Sequence, residues 1–428
     1  MSSLQTANAP SPKIVIPHFI AGGIFFVVVA ILLTFSTTEL LTVYYNNQLI
    51  AITHIIILGW ASMIVFGALY QLIPVVYETS LYSEKLARIT FWMFLISVSS
   101  LSYSFWIGSY TNLLFYSSIL MFSSLLLFII NLHLTYKKTS KRNIQSKFIN
   151  TGIYWLALTE LLGTIIVFNF RYNFLSETHL HYLKIHAHFG LIGWFLLLII
   201  GSSSILIPMF MVSHNLKESK LNKAYYLINI ALILLSIDWL FIHTQYFIMF
   251  YWILFSVGIS FFLSYVYDAY IKRLKKKLDI GLKYTVFAVT LMILPIALAV
   301  FLIVKGETTA FVLRMSTIYG FSIFFGVISM LIFGQTYKTL PFIVWLNKYQ
   351  PYVGKQKTPF PRELYSEKIT NFQFYTYLFS ISFMILGILF KNRIILQIGS
   401  LILIIVALLN LWNILKIAFH KTTLKPLK

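Results

Sequence analysis

Long apolar runs alternate with short polar joints from one end of the chain to the other, and about twelve of them reach the roughly 20 residues that a membrane-spanning helix needs. They centre near residues 15–36, 49–76, 88–108, 111–135, 149–170, 183–212, 223–245, 247–271, 282–304, 309–337, 372–390 and 394–418. Inside a bilayer no water is at hand to satisfy backbone N–H and C=O groups, so a continuous apolar run of this length must close its hydrogen bonds within itself, as a helix. With 59% hydrophobic and 11% charged residues, the composition has no place among soluble globular chains. The expectation is an all-α integral membrane protein whose residues 1–428 form a single transmembrane domain. The first run is too long for a signal-peptide core and lacks a small-residue cleavage site, so it is expected to stay attached.

A net charge of +21 would point to nucleic acid in a soluble chain, but here the basic residues follow topology. If the N-terminus is cytoplasmic, inner segments hold about 27 of the 33 lysines and arginines, from Lys13 and Lys85 through Lys137, Lys138, Lys141 and Arg142 to Lys421, Lys425 and Lys428. The outer segments keep Arg171, Lys184, Lys305, Arg314, Lys391 and Arg393. Both termini are therefore expected in the cytoplasm, the cytoplasmic membrane of a bacterium being the expected location. The stretch "KRLKKKLD" reads as an inner loop against anionic lipid, with no nucleic-acid partner. There are no cysteines, which excludes disulfides, thiolate metal sites and Cys-ligated iron–sulfur clusters.

Three stretches share one frame. They read "HIIILGWASMIVFGALYQLIP" from His54, "HFGLIGWFLLLIIGSSSILIP" from His188 and "FSIFFGVISMLIFGQTYKTLP" from Phe321. Gly59, Gly193 and Gly326 stand five residues in, Gly67, Gly201 and Gly334 thirteen, and Pro74, Pro208 and Pro341 twenty; Trp60 matches Trp194, and Glu84 matches Glu218. The frame falls on the second, sixth and tenth runs. An even number of crossings per period preserves orientation, so the expectation is three parallel four-helix repeats, residues 1–140, 141–275 and 276–428, with pseudo-threefold symmetry. Close helix packing accounts for the glycines, and a proline is tolerated where it closes the helix. It does not account for the histidines.

In this topology His54, His188 and His243 lie in the outer half of the membrane at similar depth. An imidazole there needs a partner, either a hydrogen bond to a neighbouring helix or a metal. Several imidazoles at one level, without cysteines or clustered carboxylates, suit haem iron or copper better than magnesium or calcium. His188 and His243 are candidates to share a metal, with His186 as ligand or supporting residue and His54 as a separate axial ligand. His179 and His181 read as interfacial, His133, His214 and His420 as loop or headgroup residues, and His18 is open. Glu160 and Asp238 are the acids well inside apolar runs, each a candidate for a proton path or for orienting a ligand, and each equally readable as a buried hydrogen bond.

Twelve helices in three parallel arcs, an outer-half histidine on the second and further histidines on the sixth and seventh resemble the haem-copper oxidase subunit I superfamily, the likeness covering essentially the whole chain. The resemblance implies a low-spin haem ligand at His54 and part of a copper site at His188 and His243, hence haem and/or copper, a respiratory or nitric-oxide-related redox role, an electron donor and possible partner subunits. The chain departs from that pattern on the tenth run: Phe321 replaces the histidine and residues 309–337 contain none, leaving a methionine such as Met315 or Met330 to serve. That second ligand to a haem on His54 is equally open to being absent. The frame H-x4-G-[WF]-x6-G-x6-P also resembles the NnrS-type membrane proteins linked to nitric-oxide tolerance. The competing reading is a cofactor-free transporter or structural descendant, in which Glu160, Asp238 and the histidines line a proton or solute path.

Overall fold

The computed structural model describes residues 8–140, 142–244, 246–306, 309–422 and 424. Lys141, Lys425 and Lys428, expected among the inner basic residues, lie outside the described residues. Twelve helices among them are long and apolar enough to cross a lipid bilayer: α1 (Pro12–Phe35), α2 (Asn47–Val76), α3 (Glu84–Trp106), α4 (Leu113–Lys138), α5 (Ile144–Tyr172), α6 (His179–Met211), α7 (Glu218–Ile242), α8 (Ile248–Ile271), α9 (Ile280–Lys305), α10 (Ala310–Lys348), α11 (Glu367–Leu389) and α12 (Arg393–Ala418). Polar side chains open most of them and take up amide donors left orphaned by the first turn. Asn46 accepts from the Leu49 amide, Ser83 from Leu86, Asn143 from Ser146 and Asp279 from Leu282.

Proline shapes two helices. Pro295 cannot donate to the carbonyl of Leu291, and α9 is interrupted at Met292 between two regular halves. By contrast α10 runs through Pro341 to Lys348, further than its apolar run of 309–337 predicts.

Neighbouring helices pair as α3 with α4, α7 with α8 and α11 with α12. The rim continues from α4 to α5 and from α8 to α9, and α12 against α1 closes the ring. The three frame helices α2, α6 and α10 sit inside. Each leans on its predecessor, α1, α5 or α9, and the glycines permit it. A Cβ on Gly67 would stand 2.7 Å from the His18 Cβ, on Gly201 2.9 Å from the Phe148 Cβ, and on Gly334 2.7 Å from the Gly281 carbonyl oxygen. Gly59 and Gly193 likewise face the rings of Phe25 and Trp155 at 2.7 and 2.6 Å, whereas Gly326 meets nothing nearer than Leu291 at 3.9 Å. Outward faces carry Trp92, Phe372, Phe379 and Trp412, all exposed, as lipid contact requires.

Contacts at the ends of the helices recur too. The Glu84 carboxylate accepts from the Ser11 amide, ahead of α1, and that of Glu218 from the Gln145 side chain at the start of α5. The Ser83 amide at the start of α3 donates to Asn131 on α4, as that of Ser366 before α11 donates to Asn413 on α12. Pro12 and Ala418 share the face that carries these joints. On it Asp279 caps α9 and bridges Lys275, at 2.6 Å, and Lys338. Burial alone would raise its carboxyl, but the Lys338 ammonium and hydrogen bonds from Lys275, Lys338 and the Leu282 amide outweigh that and hold it below its ordinary value.

A methyl group at Gly334 would press on the Gly281 carbonyl oxygen at 2.7 Å, the Thr285 hydroxyl at 2.8 Å and the Tyr284 Cβ at 3.0 Å. Gly334→Ala should therefore destabilise by about 1–3 kcal/mol, the usual range for overpacking, while Gly326→Ala leaves the melting temperature in detergent unchanged; equal effects would break the packing argument. Because the Asp279 carboxyl is depressed, the stability it adds is present above its unfolded value and lost as pH falls through the folded one. The melting-temperature gap between wild type and Asp279→Asn should thus be constant near neutral pH and close only below the ordinary carboxylate range.

Candidate functional site

His54 is the eighth residue of α2 and His188 the tenth of α6, both nearer the face opposite Pro12 and Ala418. Each turns its ring back along its own helix, so that Nδ1 meets the carbonyl four residues earlier, Ile50 at 2.8 Å and Lys184 at 2.7 Å. A carbonyl can only accept, so Nδ1 carries the proton and Nε2 keeps its lone pair. Nε2 of neither has a hydrogen-bond partner among the described residues. The His54 ring stacks on Phe105 of α3, centroids 4.7 Å apart, and that of His188 meets Trp239 of α7 edge-on at 4.9 Å.

The residue after each histidine opens a π-helical segment, Ile55–Ser62 in α2 and Phe189–Leu196 in α6. The third such segment, Ser322–Ile328, follows Phe321 in α10. These widened turns often mark functional positions. Phe321 itself is buried and stacks on Phe325, centroids 4.4 Å apart.

His186 uses the same device across helices. Its Nδ1 meets the carbonyl of Thr159 on α5 at 2.9 Å, and its ring occupies the space that Gly163 leaves, where a Cβ would lie 2.8 Å from Cε1. Imidazoles from α2 and α6, those of His54 and His186, each with an Nε2 that no hydrogen bond among the described residues takes up, thus lie within electrostatic reach of each other. His188 instead lines a separate cavity of about 210 Å³ with Trp239, Trp252, Tyr251 and Tyr319, among others, reaching from α6 to α10.

His243 ends α7 in a left-handed conformation, φ +58°, and is exposed. Its amide donates to the Asp238 carbonyl at 2.7 Å, closing a π turn. The imidazole it meets is that of His181, 5.2 Å away, whose Nε2 bonds the Trp239 carbonyl at 2.7 Å. Asp238 is fully buried. Its Oδ1 accepts from both the amide and the hydroxyl of Thr244, and it thereby fastens the turn that carries His243. Glu160 lies on α5 one turn before Thr164, whose hydroxyl is within interaction range without hydrogen-bond geometry. His18 repeats the Nδ1 device on the Ile14 carbonyl at 2.8 Å, with a buried, unpartnered Nε2, but towards the other face.

Among the described residues no three His, Asp or Glu side chains are gathered as a metal site. A three-imidazole copper centre has no ready ligand set here. The imidazoles on this side that keep an unbonded Nε2 are those of His54, His186 and His188; the cavity at His188, about 210 Å³, falls below the roughly 300 Å³ of typical ligand pockets, so a haem there would have to displace Trp239 or Trp252. Thr159 and Gly163 were not legible as site residues: one acts through its backbone and the other by lacking a side chain. Searches for related proteins find no matching family model and no matching curated protein.

Gly163 tests the arrangement. Gly163→Val should push the His186 ring off the Thr159 carbonyl, and the ring-nitrogen NMR signature of the Nδ1–H form should be lost at this residue alone. An unchanged spectrum would mean that the glycine does not hold the ring.

Proposed function

We propose that this chain is built on the haem-copper oxidase subunit I plan, as three parallel four-helix repeats with both ends in the cytoplasm of a bacterium. We further propose that it binds copper or haem iron through imidazoles in the outer half of its membrane. Support for the repeats comes from features that return at one frame position: the π-helical segments beginning at Ile55, Phe189 and Ser322, and the close approaches at Gly67, Gly201 and Gly334.

The observation that carries the functional reading is the tautomer shared by His54, His186 and His188. Metal-binding histidines commonly donate the other ring N–H to a carbonyl or carboxylate, which fixes the ring and leaves the ligating nitrogen basic. All three do so, to the Ile50, Thr159 and Lys184 carbonyls. His18 makes the same bond towards the other face, so the tautomer makes these rings ready to ligate without by itself singling them out. His54 and His186 would hold the ion, its redox change being the chemistry it supplies, with electrons from a donor or partner subunit. His243 and Asp238 shape the outer end of α7 beside the His188 cavity.

Absorption spectroscopy and metal analysis on protein purified without chelators and reconstituted with haem and copper test this. The expected result is about one equivalent of copper or haem iron, with at least tenfold weaker retention in His54→Ala and His186→Ala than in His133→Ala. Wild-type protein that stays colourless and metal-free after reconstitution would end the proposal.

A further inference from the structure

The three frame helices enclose a second, larger space in the half of the bundle that carries Pro12 and Ala418. It measures about 760 Å³ and lies among α2, α6 and α10, within the range of small-molecule sites. Leu72, Phe195, Leu206 and Ile332 are among its largely apolar walls, and its outer end is formed by Lys275, Asp279, Lys338 and Arg362 from the α8–α9 and α10–α11 joints and the last turns of α10. This end is cationic. Asp279 balances one of the two lysines bonded to it, which leaves one lysine and Arg362 in excess at the mouth of an apolar space, where charge is poorly screened. Lys338 is also largely buried, its side chain 14% exposed, with its ammonium over the Phe210 ring at 4.5 Å. One turn deeper, Gln335 donates to Thr285 at 3.1 Å, but its Oε1 is buried with no partner among the described residues. An acceptor buried unpaired is costly, and this one marks the polar end of the space.

We propose that this cavity binds a single-chain amphiphile with an anionic head, of the fatty-acid class, its chain among α2, α6 and α10 and its head at Lys275, Lys338 and Arg362. The apolar walls supply the hydrophobic contribution, and the excess positive charge selects an anion over a neutral head. The inference uses none of the outer-half histidines and stands apart from their metal.

Binding of palmitate, hexadecanol and decylubiquinone to the full chain in zwitterionic nanodiscs tests it, with native mass spectrometry to separate a free acid from a captured bilayer phospholipid by mass. Palmitate should bind saturably and at least tenfold more tightly than hexadecanol. Ile332→Trp and, independently, Ser202→Phe should each weaken it at least tenfold by filling the space, at unchanged melting temperature. Lys275→Gln, which leaves Lys338 to pair Asp279, should weaken palmitate severalfold and hexadecanol not at all. Equal binding of palmitate and hexadecanol, tighter binding of decylubiquinone, capture of a two-chain phospholipid alone, or palmitate binding untouched in both filled variants that keep their fold would each overturn it.

Discussion

The close approach of α2, α6 and α10 to the helices before them is the contact on which the rest of the molecule depends. Between membrane helices the hydrophobic effect supplies no net drive, since lipid is as apolar as leucine, and association rests on packing and interhelical hydrogen bonds. Gly67 against His18, Gly201 against Phe148 and Gly334 against Gly281 bring backbones near enough for that packing. The frame helices are thereby held inside the ring, shielded from lipid, and it is in this shielded position that each relaxes into a π-helical stretch. A widened turn facing lipid would expose poorly paired carbonyls to a medium with nothing to offer them.

The π stretches explain why the outline of the fold was legible in the sequence and its side-chain pairings were not. Length and continuous apolarity are enough to place twelve crossings, and the helices fall on the twelve runs. Helix faces are another matter, because one residue added to a helical ladder rotates everything beyond it by about 100°. His54 and His188 stand just before such a stretch and the frame glycines within or just after it, so spacing counted at 3.6 residues per turn does not fix how the face of each histidine relates to that of the glycines. The tenth helix was misjudged in length for a different reason. Tyr337 and Lys338 interrupt its apolar run, yet they face the interior and its ion pair, and the helix continues past them.

Depth, being set by topology alone, was the readable property of the site. The histidines of α2 and α6 do lie in the half opposite the chain ends. Which imidazole meets which depends on rotamers and on helix rotation, and neither is written in spacing. His243 looked like a companion for His188, five residues beyond Asp238. The π turn at Asp238 instead carries it into a left-handed corner beside His181. His186, expected as ligand or supporting residue, turns its ring onto the Thr159 carbonyl of α5, in the space that Gly163 leaves. The signal that could have revealed this is Gly163, three residues after Glu160, the one small residue in that stretch of α5 able to admit a ring.

Between the imidazoles of His54 and His188 and the larger cavity, in the half that carries Pro12 and Ala418, lies a layer of aromatic rings. Trp60, Phe26 and Phe333 pack together with centroids about 5 Å apart, Phe66 stacks on Phe128 at 3.7 Å, and Trp194 meets both of these edge-on. Trp60 also ties α2 to α10 through Ser329 at 3.1 Å. Both tryptophans occupy the frame position six residues past the histidine, and on these helices the cavity opens only beyond them, from Ile64 and Phe195 onward. One repeated sequence frame therefore sets three levels in the bundle. The first residue supplies an imidazole or, at Phe321, a ring that cannot ligate; the indole seals the middle; the second glycine and the turns leading from it to the proline shape the inner space. A ligand in the cavity and an ion at His54 and His186 would touch opposite ends of the same π stretches, with the aromatic layer keeping the charged head groups of one from the metal of the other.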